Sequence, residues 1–259
     1  WELIVVDNGS TDGTREWLDR FRQEAAARAE VPVHVIANPG NIGCSTARNQ
    51  GIAAARGQRV AFIDNDIACR SPTWLDRLGE ELETCSTAGI VGPKLVYPVP
   101  PYNIQCAGVA ISPNGRVQFR GRGEARNDPR FSRPATVQCL ISACCMTTAE
   151  ILQEVGGFDE AFNPVEFEDF DLVYRMRAAG YAARYVPDVE MYHFESVTTA
   201  GTASLPNTRL IIKNGLLFKK RWRHMFAHEE GPPDSACQWR NIPALDFAEI
   251  GDLPTEAQA

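Results

Sequence analysis

Short unbroken apolar runs, each closed by polar turn residues, mark the first third of the chain. Leu3-Ile4-Val5-Val6 is continuous and β-branched, the pattern of an interior parallel strand. It breaks off in Asp7-Asn8-Gly9-Ser10-Thr11-Asp12-Gly13, a dense turn cluster. Thr14 is placed to cap a helix whose buried face is Trp17, Leu18 and Phe21. Val33-His34-Val35-Ile36 predicts a second strand and 38–43 a loop. A helix follows over about 45–56, with Gly57 as its stop. Val60-Ala61-Phe62-Ile63 predicts a third strand, and Pro72 then opens a helix carrying Trp74, Leu75, Leu78 and Leu82. Strand, loop and helix recurring at this spacing predict an α/β fold with a parallel, doubly wound sheet.

The pattern changes after Gly89. Residues 89–97 are strand-like, and 104–111 and 117–120 flank Pro113-Asn114-Gly115 as a hairpin. The Arg-rich stretch 121–134 reads as a mobile loop, 137–141 as a strand, and 149–155 as a short helix ended by Gly156-Gly157. A later helix buries Leu172, Val173 and Met176 and stops at Gly180; 183–186 is a strand. Over 209–223, Leu210, Ile211, Leu216, Leu217, Phe218 and Trp222 alternate with Lys213, Lys219, Lys220, Arg221 and Arg223. Such a helix either lies on an anionic membrane surface or packs on the domain with a solvated charged face. From Glu229 onward the chain reads as a poorly ordered tail.

Composition narrows the function classes. The 259 residues carry a net charge of -7, which argues against a general nucleic-acid binder. Eight cysteines, none in a C-x-x-C pair, argue against a zinc ribbon and for free thiols in a reducing cytosol. No apolar run approaches the ~20 residues of a membrane span. The sequence enters a strand almost at Trp1 and reads as a fragment, so a preceding signal or membrane segment stays open.

Two acidic clusters carry candidate chemistry. The third strand ends in Asp64-Asn65-Asp66. In open α/β sheets ligands gather beyond the carboxyl ends of the strands, so this pair stands where a cleft is expected. A divalent cation would relieve the repulsion of two close carboxylates, and Mg²⁺ or Mn²⁺ commonly joins carboxylates to phosphates. The plainer alternative is a solvated turn with Asp side chains capping backbone groups. The second cluster, Glu166-Phe167-Glu168-Asp169-Phe170-Asp171, leads into the late helix. First-turn carboxylates suit the helix dipole, which accounts for Asp171. A carboxylate held beside Phe167 and Phe170 could instead be tuned as a base. His193, alone, is a structural residue unless a carboxylate-bound metal lies close.

Five stretches, LIVVDNGSTDGT (3–14), NPGNIGCSTARNQG (38–51), FIDND (62–66), GGFDE (156–160) and EDFDLVYR (168–175), together resemble family 2 glycosyltransferases, most of all the rhamnosyltransferase-like branch. The resemblance covers residues 1 to about 200. It implies a GT-A fold, the nucleotide-diphospho-sugar transferase fold. That fold has a mostly parallel central sheet flanked by helices and a small antiparallel acceptor-side region. The domain would run over 1–227, with a nucleotide-binding half (1–88) and an acceptor half (89–227), then an acidic Pro-containing tail (228–259). The resemblance further implies metal-dependent, inverting transfer from a UDP- or dTDP-linked sugar to a glycan or lipid-linked hydroxyl.

Asp64-Asn65-Asp66 stands at the D-x-D position: Asp66 on the Mn²⁺ or Mg²⁺, Asp64 on the ribose or on the metal through water. His193 matches a late metal-coordinating His. Asp7, with Asn8 and Ser10 beside it, and Arg48 fall on the nucleotide pocket. Asp169 matches the general base, with Glu168 its neighbour. Ser142, Ala143 and Cys144 fall on the small-residue loop beside the donor sugar, here without its usual glycines. The family's first strand and loop have no counterpart here, so one βα unit that borders the base pocket is expected to be missing. The protein is expected in the cytoplasm, at the inner face of the membrane if 209–223 docks there. Two competing readings are a nucleotidyltransferase and a non-catalytic nucleotide- or glycan-binding pseudo-enzyme. Mn²⁺-dependent binding of a uridine or thymidine diphosphate would separate them from glycosyl transfer.

Overall fold

The computed structural model describes residues 1–28, 31–194, 207–238 and 250–256. Its spine is a pair of parallel strands, β5 (Ala88–Val96) and β11 (Ala182–His193). All nine residues of β5 are buried, which explains its near-continuous apolar sequence. Strands β3 (Arg59–Ile63), β10 (Cys144–Thr148) and β4 (Ile67–Cys69) complete the path β3-β10-β5-β11-β4. Two short strands, β6 (Ile104–Cys106) on β5 and β9 (Ala135–Val137) on β11, make the sheet seven-stranded. The first two strands, β1 (Leu3–Asp7) and β2 (Val33–Ala37), pair in parallel as a separate ladder. Strands β7 (Val109–Ile111) and β8 (Val117–Phe119) form the hairpin expected around Asn114-Gly115.

Six helices among the described residues flank these sheets: α1 (Thr14–Arg28), α2 (Cys44–Ala54), α3 (Trp74–Thr84), α4 (Ala149–Val155), α5 (Glu168–Ala178) and α6 (Asn207–Phe226). The core runs between the central sheet and α3, α4, α5 and α6, with Leu78, Leu152, Leu172, Val173, Met176 and Phe218 among its buried side chains.

The α/β architecture is as expected, and several details differ. The central sheet is mixed rather than mostly parallel, because β10, β4, β6 and β9 all enter antiparallel. Asp12, not Thr14, caps α1: its Oδ1 accepts from the Thr14 backbone N at 3.2 Å and the Thr14 hydroxyl at 2.6 Å. Trp17 is 54% exposed, stacked on Phe21 on the outer face, while Leu18 is buried. Helix α2 ends at Ala54 because Ala55 is extended, two residues before Gly57. The stretch 104–111 is two strands, broken where Gly108 takes φ +85°.

The Arg-rich stretch 121–134 is not a loose loop. The backbone N of Gly123 donates to Ile104 O at 2.8 Å, Glu124 O accepts from Ile104 N at 2.9 Å, and Arg130 pairs with Asp128 and Glu124. The strand expected over 137–141 stops at Val137, with Cys139 making a single bridge to Val109. The end of the chain folds back where described. Glu229 meets Arg177 and Tyr174, and Glu256 meets Ser71 and Arg77. The rest of the expected tail, 239–249 and 257–259, lies outside the described residues.

Candidate active site

The acidic turn Asp64-Asn65-Asp66 stands between β3 and β4. Strand β4 escaped sequence reasoning because three residues carry too little periodicity to register. It is nevertheless the element that assembles one side of the site. Its antiparallel pairing sets His193 opposite Ile67, and the Phe194 N donates to Asp66 O at 2.9 Å. His193 Nε2 thereby comes 3.5 Å from Asp66 Oδ1, both side chains largely buried. An imidazole nitrogen and a carboxylate oxygen form a donor set that suits Mn²⁺. Among the described residues no group of three or more His, Cys, Asp or Glu side chains forms a metal cage. The pair therefore fits a cation that takes its other oxygens from phosphates and water.

The second cluster reaches the first by two routes. Arg48, on α2, donates to Asp64 Oδ1 at 2.7 Å and to Glu168 Oε1 at 3.1 Å. The guanidinium also lies over the Phe158 ring, 5.2 Å from its centroid. The backbone entering β10 forms the other route. Ala143 O accepts from Asp64 N at 2.8 Å, while Ser142 N donates to Asp169 Oδ2 at 3.2 Å. Residues 142 and 143 thus tie both acidic segments to one short piece of chain. Cys144 already belongs to β10, with its side chain buried in the core, so the loop proper is Ser142 and Ala143. Asn65 is the exposed tip of its turn.

Asp169 sits in the first turn of α5, and its Oδ1 also accepts from the Phe170 N at 2.8 Å. Burial pushes its carboxyl well above the usual range, and the neighbouring Glu168 charge adds to this; Arg48 and the two backbone N–H groups offset only part. Glu168 is 5% exposed, and its Oε2 has no hydrogen-bond partner among the described residues. The turn that delivers the pair is strained: Glu166 and Phe167 both take positive φ, +84° and +68°. Such conformations cost roughly 1–3 kcal/mol each and persist only where the surroundings impose them. Here α6 imposes them. The buried Asn214 amide donates to the carbonyls of Phe162 and Val165 at 2.7 and 2.8 Å, and the Phe167 ring packs against Gly215.

The nucleotide-pocket residues are also brought together, but as a clamp. Asn8 Oδ1 accepts from Ile42 N at 3.1 Å and its Nδ2 donates to Asn41 Oδ1 at 3.1 Å. Asn38 and Gln50 exchange two amide hydrogen bonds. A Cβ on Gly9, at φ +91°, would lie 2.5 Å from the Gly40 Cα, so the two loops pass too closely for a side chain there. Asp7 is buried, with Ser10 N on one oxygen and Arg15 Nε on the other at 3.0 and 2.8 Å. Burial raises its carboxyl, but these two partners win and hold it below the usual range. A base contact from Asp7 would use the lone pairs these partners leave. Asn38, Asn41 and Gln50 lay inside the 38–51 motif without a role of their own, and Arg15 and the site-side Gln105 were not singled out from the sequence. Polar residues in loops, at the polar positions of helices and in a three-residue strand carry no periodic signal of their own.

A small cavity of about 240 Å³, lined by Gln118, Arg122, Glu124 and Arg130, shares none of these residues.

The glycosyl transferase family 2 pattern matches residues 1–156, more than half of the chain. A pre-mycofactocin glycosyltransferase of Mycobacterium tuberculosis is 31% identical over 74% of this chain and 37% of its own length. An N-acetylglucosaminyl-diphospho-decaprenol L-rhamnosyltransferase of the same organism is 29% identical over 76% of this chain and 67% of its own. The chain spans about a quarter to two fifths of the length of the curated relatives it matches first. Among solved structures, GalNAc-T7 with UDP, GalNAc and Mn²⁺ superposes at TM-score 0.60 and 18% identity, over 74% of this chain and 37% of that one. That likeness bears on the fold alone, and the fold is the GT-A arrangement the motifs implied. The chain belongs to glycosyl transferase family 2.

Proposed function

We propose that the chain transfers a sugar from a nucleotide-diphosphate donor to a hydroxyl of a glycan or lipid-linked acceptor, with a divalent cation and with inversion. The observation that carries this reading is the joining of the two acidic segments through Arg48 and through residues 142 and 143. Metal ligands and a base must border one cavity if both are to act on one sugar. In this reading Asp66 and His193 would hold Mn²⁺ or Mg²⁺, with Asp64 on the ribose or behind the metal. The cation would offset the charge developing on the leaving diphosphate. Asp7, Asn8, Ser10 and Asn65 would line the UDP or dTDP site, and Ser142 and Ala143 the sugar.

Asp169 would take the proton of the incoming hydroxyl. A carboxyl whose proton affinity is raised by burial and by Glu168 is the stronger base for that step. The N–H groups of Ser142 and Phe170 fix the direction in which it points. A single displacement with the base opposite the leaving group inverts the anomeric centre, as in inverting carboxylate chemistry on glycosides. The test is calorimetric titration of UDP and dTDP with and without Mn²⁺. Metal-dependent binding that Asp66→Ala abolishes is expected. Unchanged affinity in that variant rejects the metal assignment, and metal-independent binding favours a non-catalytic module.

The acceptor side supports a membrane contact. No helix among the described residues is long and apolar enough to cross a bilayer. Yet α6 leaves Ile211, Ile212 and Leu216 exposed, at 41%, 57% and 63%, and its twenty residues contain no acidic side chain. Arg209, Lys213, Lys220 and Arg223 surround those three. Its other face clamps the turn before Asp169, so this surface adjoins the acceptor side. A basic face with an apolar centre suits anionic headgroups. Cosedimentation with phosphatidylglycerol vesicles, weakened by salt and lost in Ile212→Glu and Leu216→Glu, is expected; equal pelleting of the variants rejects the contact.

A further inference from the structure

His193 is held from behind by a side chain that takes no part in the chemistry proposed above. Gln105, in the middle of β6, is wholly buried. Its Nε2 donates to the His193 backbone carbonyl at 3.1 Å, and its Oε1 lies 2.5 Å from His193 Nδ1. The two contacts fix each other. A backbone carbonyl can only accept, so the NH₂ end of the amide must face it. The other end, Oε1, is also only an acceptor, so Nδ1 must carry the hydrogen. In a neutral imidazole Nε2 is then bare, and Nε2 is the atom that looks at Asp66 Oδ1 across 3.5 Å. Two lone-pair groups facing each other at that distance repel unless a proton or a metal cation stands between them.

We propose that Gln105 is a positioning residue: it locks His193 in the Nδ1–H tautomer and so presents bare Nε2 to the divalent cation shared with Asp66. The inference rests on the metal reading above, but its first observable does not need the metal. The lock is stiff because both partners sit on backbone ladders. Gln105 is flanked by the β6–β5 pairing, and His193 ends the β11–β4 pairing. Orienting groups of this kind set ligand tautomer and basicity, and losing one typically costs about 10- to 100-fold in metal affinity.

The experiment is long-range ¹H–¹⁵N NMR on the ¹⁵N-histidine-labelled, metal-free chain near neutral pH, with His193 assigned from a His193→Asn variant. Mn²⁺ affinity is then measured by electron paramagnetic resonance in the presence of UDP. Wild type should show His193 as the Nδ1–H tautomer. Gln105→Leu, similar in volume but unable to hydrogen-bond, should lose that signature and bind Mn²⁺ about 10- to 100-fold more weakly. An Nε2–H tautomer or a doubly protonated ring in wild type overturns the proposal, even if the variant does not fold. Wild-type Mn²⁺ binding matched by Gln105→Leu overturns the positioning role alone. The Nδ1–H tautomer in a wild type that binds no Mn²⁺ overturns the metal reading, and the purpose of the lock with it.

Discussion

Two buried charge clusters lie on or beside β11, three residues apart along it, and they are unbalanced in opposite senses. At Glu190 one carboxylate meets three cations: Arg70 at 2.8 Å, Lys94 at 3.1 Å and Arg126 at 3.2 Å. At the acidic cleft, Asp64 and Glu168 share Arg48, Asp66 faces His193, and Asp169 has backbone N–H groups. Burial works to raise the carboxyl of Glu190 as it does that of Asp169. At Glu190 the cations win and hold it below the usual range. At Asp169 the Glu168 charge adds to burial, and the carboxyl ends well above it. The protein has surrounded one carboxylate with more positive charge than it carries and left the other cluster short of it. A carboxylate cluster kept in that state is costly to the fold, and such costs gather where a ligand completes the electrostatics.

The largest effect that would break this comparison is catalytic. Asp169→Asn keeps the shape and can still accept from Ser142 N. It should lower turnover by about 10²- to 10⁴-fold, the usual worth of a general base, while donor binding stays unchanged. Steady-state rates set beside donor titration measure the two separately. Near-normal turnover would remove Asp169 as the base, and its raised proton affinity would then be a mere consequence of crowding.

The next effect lies in stability and on the other cluster. Glu190→Gln leaves Arg70, 1% exposed, and Lys94 as buried cations without a counter-charge. Losing one member of a buried ion pair costs about 3–5 kcal/mol, so the variant should unfold at markedly lower urea. A loss under about 1 kcal/mol, the worth of an exposed pair, would mean that these cations are effectively solvated. The contrast between the clusters would then disappear.

The parts of this arrangement legible in the sequence were those with either a period or a motif. The runs at Leu3-Ile4-Val5-Val6 and Val60-Ala61-Phe62-Ile63 declared β1 and β3. The glycine pair after α4 declared its end, where Gly156 takes φ +83°. Asp64, Asp66, Glu168, Asp169 and His193 were each picked out. What placed them relative to one another was not legible. Strand β4 is three residues long, and β10 was hidden under the cysteines of a supposed loop. Gln105 and Asn214 act across 88 and up to 52 residues of sequence, respectively. Periodicity reports which face a residue turns to the core; it carries no information on which distant polar atom meets it there. The basic helix α6 was expected, but its grip on the turn before Asp169 was visible only once Asn214 could be seen reaching that turn.

The smallest effect has the most informative sign. An acid whose folded pKa lies above its unfolded value holds its proton more tightly in the folded state. Its contribution is fully present below the unfolded pKa, near ~4, and is lost as pH rises through the folded pKa. For Asp169 that loss falls above the usual carboxylate range. Asp169→Asn removes it, so the variant should be more stable than wild type at neutral and alkaline pH. The expected gain is about 1 kcal/mol, or 2–4 °C in Tm for a domain of this size. The gain should vanish toward pH 4. Glu190, held low, behaves oppositely: its contribution is present above ~4.3 and lost as pH falls through the folded pKa, so the deficit of Glu190→Gln should be largest at neutral pH and shrink in acid. Urea unfolding of both variants at pH 3, 4, 6 and 8 gives the two slopes side by side. An Asp169→Asn that destabilises the chain at pH 8 would mean that the N–H groups of Ser142 and Phe170 hold this carboxylate more strongly than Glu168 repels it. The cleft would then be as self-sufficient as the Glu190 cluster, and its excess of negative charge would no longer point to a ligand.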